Sequence, residues 1–244
     1  MKYSKNPLTS WVIRTKNEEK WIGKVLEKLL EQSRLDFEII IVDSGSTDKT
    51  LEIIKKFPVR KVIKIPQNEF HYSYALNVGI KESYGKIIGI LSGHSMPSHR
   101  FWYESALKHF KDDTVAGVGG QYTSLPDGSL DEKIGDMNYH VTKFNERKGD
   151  SIYDGWLPHE LFAEFSNSNS LIRKKYWKLY NFNETLKGSE DYDWAQEMIS
   201  RNYRIVFEPL FNVYHSHGGI DRPTLHDRMS EWQKLNLEID KKRK

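Results

Sequence analysis

The 244-residue chain contains no cysteine, so disulfide bonds have no part in its stability. That absence fits a cytosolic setting without establishing one. Long apolar runs are missing too: nothing approaches the roughly 20 residues that span a bilayer, and no membrane-crossing helix is expected. The first 19 residues are broken by charged and polar side chains where a secretory leader needs an apolar core. These absences lead to the expectation of a cytoplasmic protein that touches the inner face of a membrane peripherally at most. An excess of one charge sign is also lacking. Lys and Arg number 37 against 34 Asp and Glu, a net of +3, which excludes the global positive field of a protein that coats nucleic acid. Only the tail Lys241-Lys242-Arg243-Lys244 is locally basic, read as a solvated end or as a weak contact for anionic lipid.

What is present is the composition of a globular protein, 38% hydrophobic and 29% charged, in a chain long enough for one large α/β domain. Trp11 to Arg14 reads as a strand, and the stripe Trp21, Ile22, Val25, Leu26, Leu29 and Leu30 after Asn17 as a helix. Phe37 to Val42 is almost wholly apolar, as a strand covered on both faces must be, and Asp48 to Phe57 follows as a short helix. Val59 to Ile65 and Lys86 to Leu91 add two strands around a helix from Ser73 to Tyr84. Such alternation predicts a mainly parallel sheet flanked by helices, because parallel neighbours need a crossover. Ligands of such sheets sit beyond the carboxyl ends of the strands, which points to the loops after Arg14, Val42 and Leu91. Past Gly120 the pattern loosens, and regular signals return at 169–176, 190–200 and 204–213.

Three segments carry candidate chemistry. VDSGSTDKT, from Val42 to Thr50, ends a buried strand with Asp43 and continues with small hydroxylated residues and a glycine. Asp43 can accept from a base or ribose donor, and the turn offers backbone N–H groups where phosphate is favoured. The alternative is an ordinary loop in which Ser46 or Thr47 caps the helix. In the first loop Thr15 precedes Glu18 by three residues, a capping-box spacing. Arg14 stays outside that explanation, and a charge at a strand end suits nucleotide recognition. In GSEDYDW, from Gly188 to Trp194, Ser189 reads as an N-cap and the acids as first-turn residues stabilised by the helix dipole. Three carboxylates within four residues modestly exceed what capping needs.

VIRTKNEE, followed about 25 residues later by EIIIVDSGSTDKT, resembles the opening of the family 2 glycosyltransferases, inverting enzymes of the GT-A fold. The resemblance runs over roughly residues 9–217 and is nearest in appearance to bacterial members that build surface polysaccharides, rhamnosyltransferase-like ones among them. It implies a Rossmann-like α/β domain over 1–244: a nucleotide-sugar-binding half to about residue 120, an acceptor and catalytic half over about 121–220, and a C-terminal helix over 221–244. That last segment carries Leu225, Met229, Trp232 and Leu235 at near-helical spacing and is a candidate for core covering, a homodimer contact or a membrane contact. By position, Thr15, Asn17 and Glu18 line the nucleoside site with Arg14 beside them, and Asp43 and Ser44 face the base. Asn77, Gly79, Gly85 and the strand IIGIL are similar to the segment that leads into the family's acidic metal motif. There the chain departs, with Ser92, Gly93 and His94 in place of Asp-x-Asp. These three, Asn77, and His71 in the segment FHYS are the remaining donor-side candidates.

In the family the acidic pair holds Mg²⁺ or Mn²⁺ against the diphosphate. Imidazole suits Mn²⁺ better than Mg²⁺, so the expected cofactor is a divalent cation, Mn²⁺ ahead of Mg²⁺, at His94. A histidine after the last strand often completes such sites, which brings in His215, with His217 second because i,i+2 spacing points the two apart. Glu190-Asp191 resembles the family's acceptor-activating motif, with Asp191 as general base and Glu190 binding the acceptor or orienting the loop. Phe165 to Arg173 resembles the segment before that loop, making Asn167 and Asn169 candidate acceptor ligands. Trp156 or Trp177 is a candidate for stacking on a pyranose, against core packing as the plainer role. The implied reaction moves a sugar from a UDP- or dTDP-linked donor to a hydroxyl of a glycan or lipid-linked acceptor, with inversion. Two rivals stand beside it. A sugar-phosphate nucleotidyltransferase would open with a glycine-rich loop, which 14–19 is not. An inactive sugar-nucleotide-binding module would have no use for Glu190-Asp191.

Overall fold

The computed structural model describes residues 6–124, 152–153, 165–215 and 225–243. Strand and helix alternate first as β1 (Thr9–Thr15), α1 (Ile22–Leu30), β2 (Phe37–Asp43), α2 (Thr50–Ile54), β3 (Lys61–Lys64), α3 (Tyr72–Lys81) and β4 (Ile87–Ser92). Then come β5 (Met96–Pro97), α4 (Trp102–Leu107), β6 (Val115–Thr123), β7 (Ile152–Tyr153), β8 (Asn169–Arg173), α5 (Lys174–Leu179), α6 (Glu190–Ser200), β9 (Arg204–Tyr214) and α7 (Leu225–Arg243). The strands form one nine-stranded sheet, in the order β3-β2-β1-β4-β8-β6-β9-β5 with β7 on β9.

β1 pairs in parallel with β2 and β4, and β2 with β3, as helical crossovers require. The register sets Arg14 opposite both Val42 and Ser92, so the three loops picked out in the sequence leave one edge together. Beyond β4 the sheet is mixed. β8 starts level with the end of β4, Asn169 opposite Leu91, and therefore runs back antiparallel between β4 and β6. β9 is parallel to β6 and antiparallel to β5 and β7. Residue 120 lies inside β6, and strands from both sides of it share the sheet.

Alternate residues of each strand serve opposite faces. Trp11, Ile13, Ile39 and Ile41 pack with Ile22, Val25, Leu26 and Leu29 of α1 and with Trp102 and Tyr103 of α4. Val12, Val42, Ile88 and Ile90 pack with Ala75, Leu76 and Ile80 of α3 and with Trp194 and Met198 of α6. Trp102 stacks between Trp11 at 4.8 Å and Phe211 at 4.5 Å, contacts worth about 1 kcal/mol each beyond the area they bury.

Four elements go beyond the sequence expectation, the short β5 and β7 together with α4 and β6. Gly117, Gly119 and Gly120 depress strand propensity in β6, yet the packing demands glycine at 117 and 120. A Cβ at Gly117 would stand 2.8 Å from the Phe165 ring, and one at Gly120 1.8 Å from the Phe211 carbonyl oxygen. The C-terminal segment is helical as expected; the side chains of Leu225, Met229 and Trp232 lie outside the described ones. Its far end docks on α6. Arg243 binds Asp193 through Oδ1 at 2.8 Å and the carbonyl oxygen at 3.0 Å and pairs with Glu197, while Tyr192 donates to Asp240 at 3.0 Å. Arg243 is thus tied into the protein, which corrects the reading of the whole tail as solvated or lipid-facing.

Candidate active site

The first two loops are laced together. Thr15 donates to Asp43 Oδ2 at 3.1 Å, and Asp43 Oδ1 accepts from the backbone of Gly45 and Ser46. Ser44 N–H donates to the Thr15 carbonyl, Asn17 N–H to Ser46 Oγ at 2.9 Å, and Thr47 N–H to Asn17 Oδ1 at 2.8 Å. Asn17 holds a left-handed backbone (φ 54°) to make those contacts. The expected capping box does not form: α1 begins after Trp21 with no side-chain cap, because Thr15 and Glu18 are drawn to partners on other loops. Ser46 and Thr47 do not cap α2 either. Its first amide, that of Thr50, is bound by Asp48.

Glu18 turns toward the third loop, where His94 Nδ1 lies 2.7 Å from its Oε1. Gly93 makes that approach possible, since a Cβ there would meet Glu18 Cγ at 2.9 Å and the Arg14 carbonyl at 3.0 Å. Ser92 Oγ is 3.3 Å from the His94 ring nitrogens, and the His94 and His215 rings lie 4.6 Å apart. His215 Nδ1 is 2.8 Å from Ser95 Oγ. Among the described residues no group of three or more His, Asp or Glu side chains is poised around a metal. The pair still fits one in a limited way. Each imidazole has Nδ1 held by the protein, as the ring of a metal-ligating histidine is, while Nε2 of His94 also lies 3.3 Å from Ser92 Oγ.

The catalytic candidates open α6. Ser189 stands at the N-cap position as expected, but with a left-handed backbone (φ 57°) and no side chain accepting from the first-turn amides. Glu190 is buried; Asn167 Nδ2 donates to it at 3.1 Å, and Arg14 Nη1 stands 3.8 Å away. Asp191 is more open and accepts from Asn167 N–H at 3.0 Å and from its neighbour Tyr192 N–H at 2.9 Å. Burial first and the Asp191 charge second push Glu190 up to about 7, against the pull of Arg14 and Asn167. Burial also raises Asp191, opposed by the two backbone donors and Arg14. Arg14 donates to the Asn167 carbonyl at 3.1 Å and lies over the Tyr72 ring at 5.0 Å, so it links the end of β1 to the segment that holds the carboxylates.

Other candidates go elsewhere. Asn77 is buried, donating to the Phe182 carbonyl and to Glu184 and accepting from Trp177 Nε1, so it joins α3 to the chain before α6 instead of lining the donor loops. Trp177 is a core residue at 5% exposure and offers no face to a sugar. Asn169, fully buried, donates to the Phe211 carbonyl at 2.6 Å and bridges β8 to β9. Asn167 is a scaffold for both carboxylates. His71 caps α3, accepting from Tyr74 N–H at 3.4 Å. Trp156 and His217 lie outside the described residues. Sequence reasoning missed Tyr72, 46% exposed over Arg14, and Tyr122, whose ring is 5.6 Å from that of His215. The first sits in the FHYS segment beside His71; the second follows glycines that hid its strand.

A mixed sheet with its loops gathered over a helix-opening carboxylate pair is the architecture of the GT-A glycosyltransferases. The sequence profile of Glycosyl transferase family 2 matches residues 10–180, and the chain belongs to that family. Over 232 residues it is 38% identical to the dolichyl N-acetyl-alpha-D-glucosaminyl phosphate 3-beta-D-2,3-diacetamido-2,3-dideoxy-beta-D-glucuronosyltransferase of Methanococcus voltae, spanning 87% of this chain and 68% of that one. Glycosyltransferase AglE of Haloferax volcanii is 33% identical over 119 residues, 47% of this chain and 39% of its own. Among solved structures, Staphylococcus aureus TarS 1-349 with UDP-GlcNAc has a TM-score of 0.65 at 19% identity, covering 94% of this chain and 61% of that one. The Pyrobaculum calidifontis mannosyltransferase PcManGT, in complex with GDP-Man and Mn²⁺, gives the same values. No helix among the described residues is long and apolar enough to cross a membrane.

Proposed function

We propose that this glycosyltransferase moves a sugar from a nucleoside diphosphate sugar, UDP- or dTDP-linked, to a hydroxyl of a glycan or lipid-linked acceptor in surface polysaccharide synthesis. Displacement is direct, with inversion. The observation that carries the reading is the placement of Glu190 and Asp191 across one cleft from Arg14 and the donor loops. The name of the Methanococcus relative, which specifies a dolichyl-linked acceptor, supports a lipid-linked one here.

Thr15, Asn17, Asp43 and Ser44 shape the nucleoside end, with the Asp43 loop fixed in form by its own hydrogen bonds. Asp191 takes the proton from the acceptor hydroxyl as that oxygen attacks the anomeric carbon. Asn167 fixes the carboxylate through its N–H, so the base contributes by placement more than by strength. Glu190 and Arg14 balance charge behind it. A divalent cation, Mn²⁺ ahead of Mg²⁺, would be held by His94 and His215 and would neutralise the departing diphosphate.

The test is calorimetry with UDP and dTDP, followed by NMR assignment of the anomeric configuration of the product. Asp191→Asn is expected to keep donor affinity within about twofold and to lower transfer by about 10²–10⁴. A product with retained configuration would refute single displacement, and unchanged transfer by Asp191→Asn would remove Asp191 as the base.

A further inference from the structure

Tyr122 stands at the carboxyl end of β6, opposite Val213 of β9, with its ring against His215. Its hydroxyl has Ser166 as a nearby hydrogen-bonding group and lies within the fields of Asp191 and Arg14. The side chain therefore spans the cleft from the histidine pair to the carboxylate pair. Shut off from solvent, the hydroxyl closes no hydrogen bond of normal geometry with any described residue; Nε of Arg14 shares that condition, and Nη1 has only its 3.8 Å ion pair with Glu190. Buried polar groups without partners are unfavourable, and a native protein that keeps several around one space has a use for them there.

In a single displacement the anomeric carbon must lie between the base that activates the acceptor and the diphosphate that leaves. With Asp191 at one end and the histidines at the other, the transferred sugar lies along Tyr122. We infer that Tyr122 is a donor-sugar ligand, its hydroxyl hydrogen-bonding a polar substituent of the glycosyl unit and so telling a sugar nucleotide from a bare nucleotide. The inference rests on the transferase reading above and adds a specificity residue to it.

Tyr122→Phe keeps the ring and removes the hydroxyl. Calorimetry would compare UDP, dTDP and GDP with UDP-GlcNAc, dTDP-rhamnose and GDP-mannose on wild type and variant. The expected result is a loss of about tenfold for the sugar nucleotide that wild type binds, with its parent diphosphate within about twofold. The thermal midpoint of the variant should equal or exceed that of wild type, because an unpaired buried group has been removed. Unchanged sugar-nucleotide affinity, an equal loss for the bare nucleotide, or a lowered midpoint would each overturn the inference while leaving the transferase reading intact. A wild type that binds none of the six probes would overturn the donor reading and this inference with it.

Discussion

Glu190 and Asp191 share a space too dry for two full negative charges, and Arg14 offsets only part of the repulsion. Burial and the neighbouring Asp191 charge push the Glu190 carboxyl up to about 7. A carboxyl raised from 4.5 favours folding fully below 4.5 and loses that contribution as pH rises through about 7. Transfer needs Asp191 ionised, and burial holds that carboxyl above its ordinary range, so activity should fall on the acid side at a higher pH than a free aspartate would give. Glu190→Gln should move that acidic limb of kcat/KM downward and flatten the pH dependence of urea unfolding between about pH 5 and 8. A limb left in place would assign the titration to another group. The carboxylates themselves were legible as acids opening a helix. The contact of Arg14 with Asn167 was not, because the two are 153 residues apart and only the sheet brings them together. Thr15 and Glu18 misled for the same reason: local spacing fitted a cap, while their actual partners were Asp43 and His94.

At the scale of elements, β1, β2 and β4 declared themselves by apolar runs that a doubly covered strand must have. β6 stayed hidden because close packing against Phe165 and Phe211 selects glycine, which carries no strand signal. The docking of α7 on α6 was equally invisible, since a basic tail reads as solvated until Asp193 and Glu197 are placed beside it. Asp193 and Glu197 follow Glu190 and Asp191 on α6, and Arg243 neutralises both. Arg243→Met is therefore expected to destabilise the fold by on the order of 2 kcal/mol in urea unfolding. Lys241→Ala, at an exposed neighbour, should change nothing measurable. Equal midpoints for the two variants would return the tail to solvent.

For the molecule as a whole, the order of motifs along the chain announced the fold, and the loss of Asp-x-Asp left the metal open. The facing imidazoles of His94 and His215 make a sparse set that needs ligand oxygens to complete it. UDP or dTDP should bind more tightly with Mn²⁺ than with Mg²⁺ or EDTA, and His94→Ala or His215→Ala should abolish the difference in calorimetry. Equal affinity in EDTA would sink the metal assignment. The insertion of β8 between β4 and β6 has a consequence for how the protein is made. Leu91 finds its partner Asn169 only after most of the chain has been synthesised. Until then β4 and β6 each present an unpaired edge, and the polypeptide emerging from the ribosome holds two strands ready to recruit a wrong neighbour. Closing that gap is a long-range, late event, so the step that completes the sheet should also set the pace of folding.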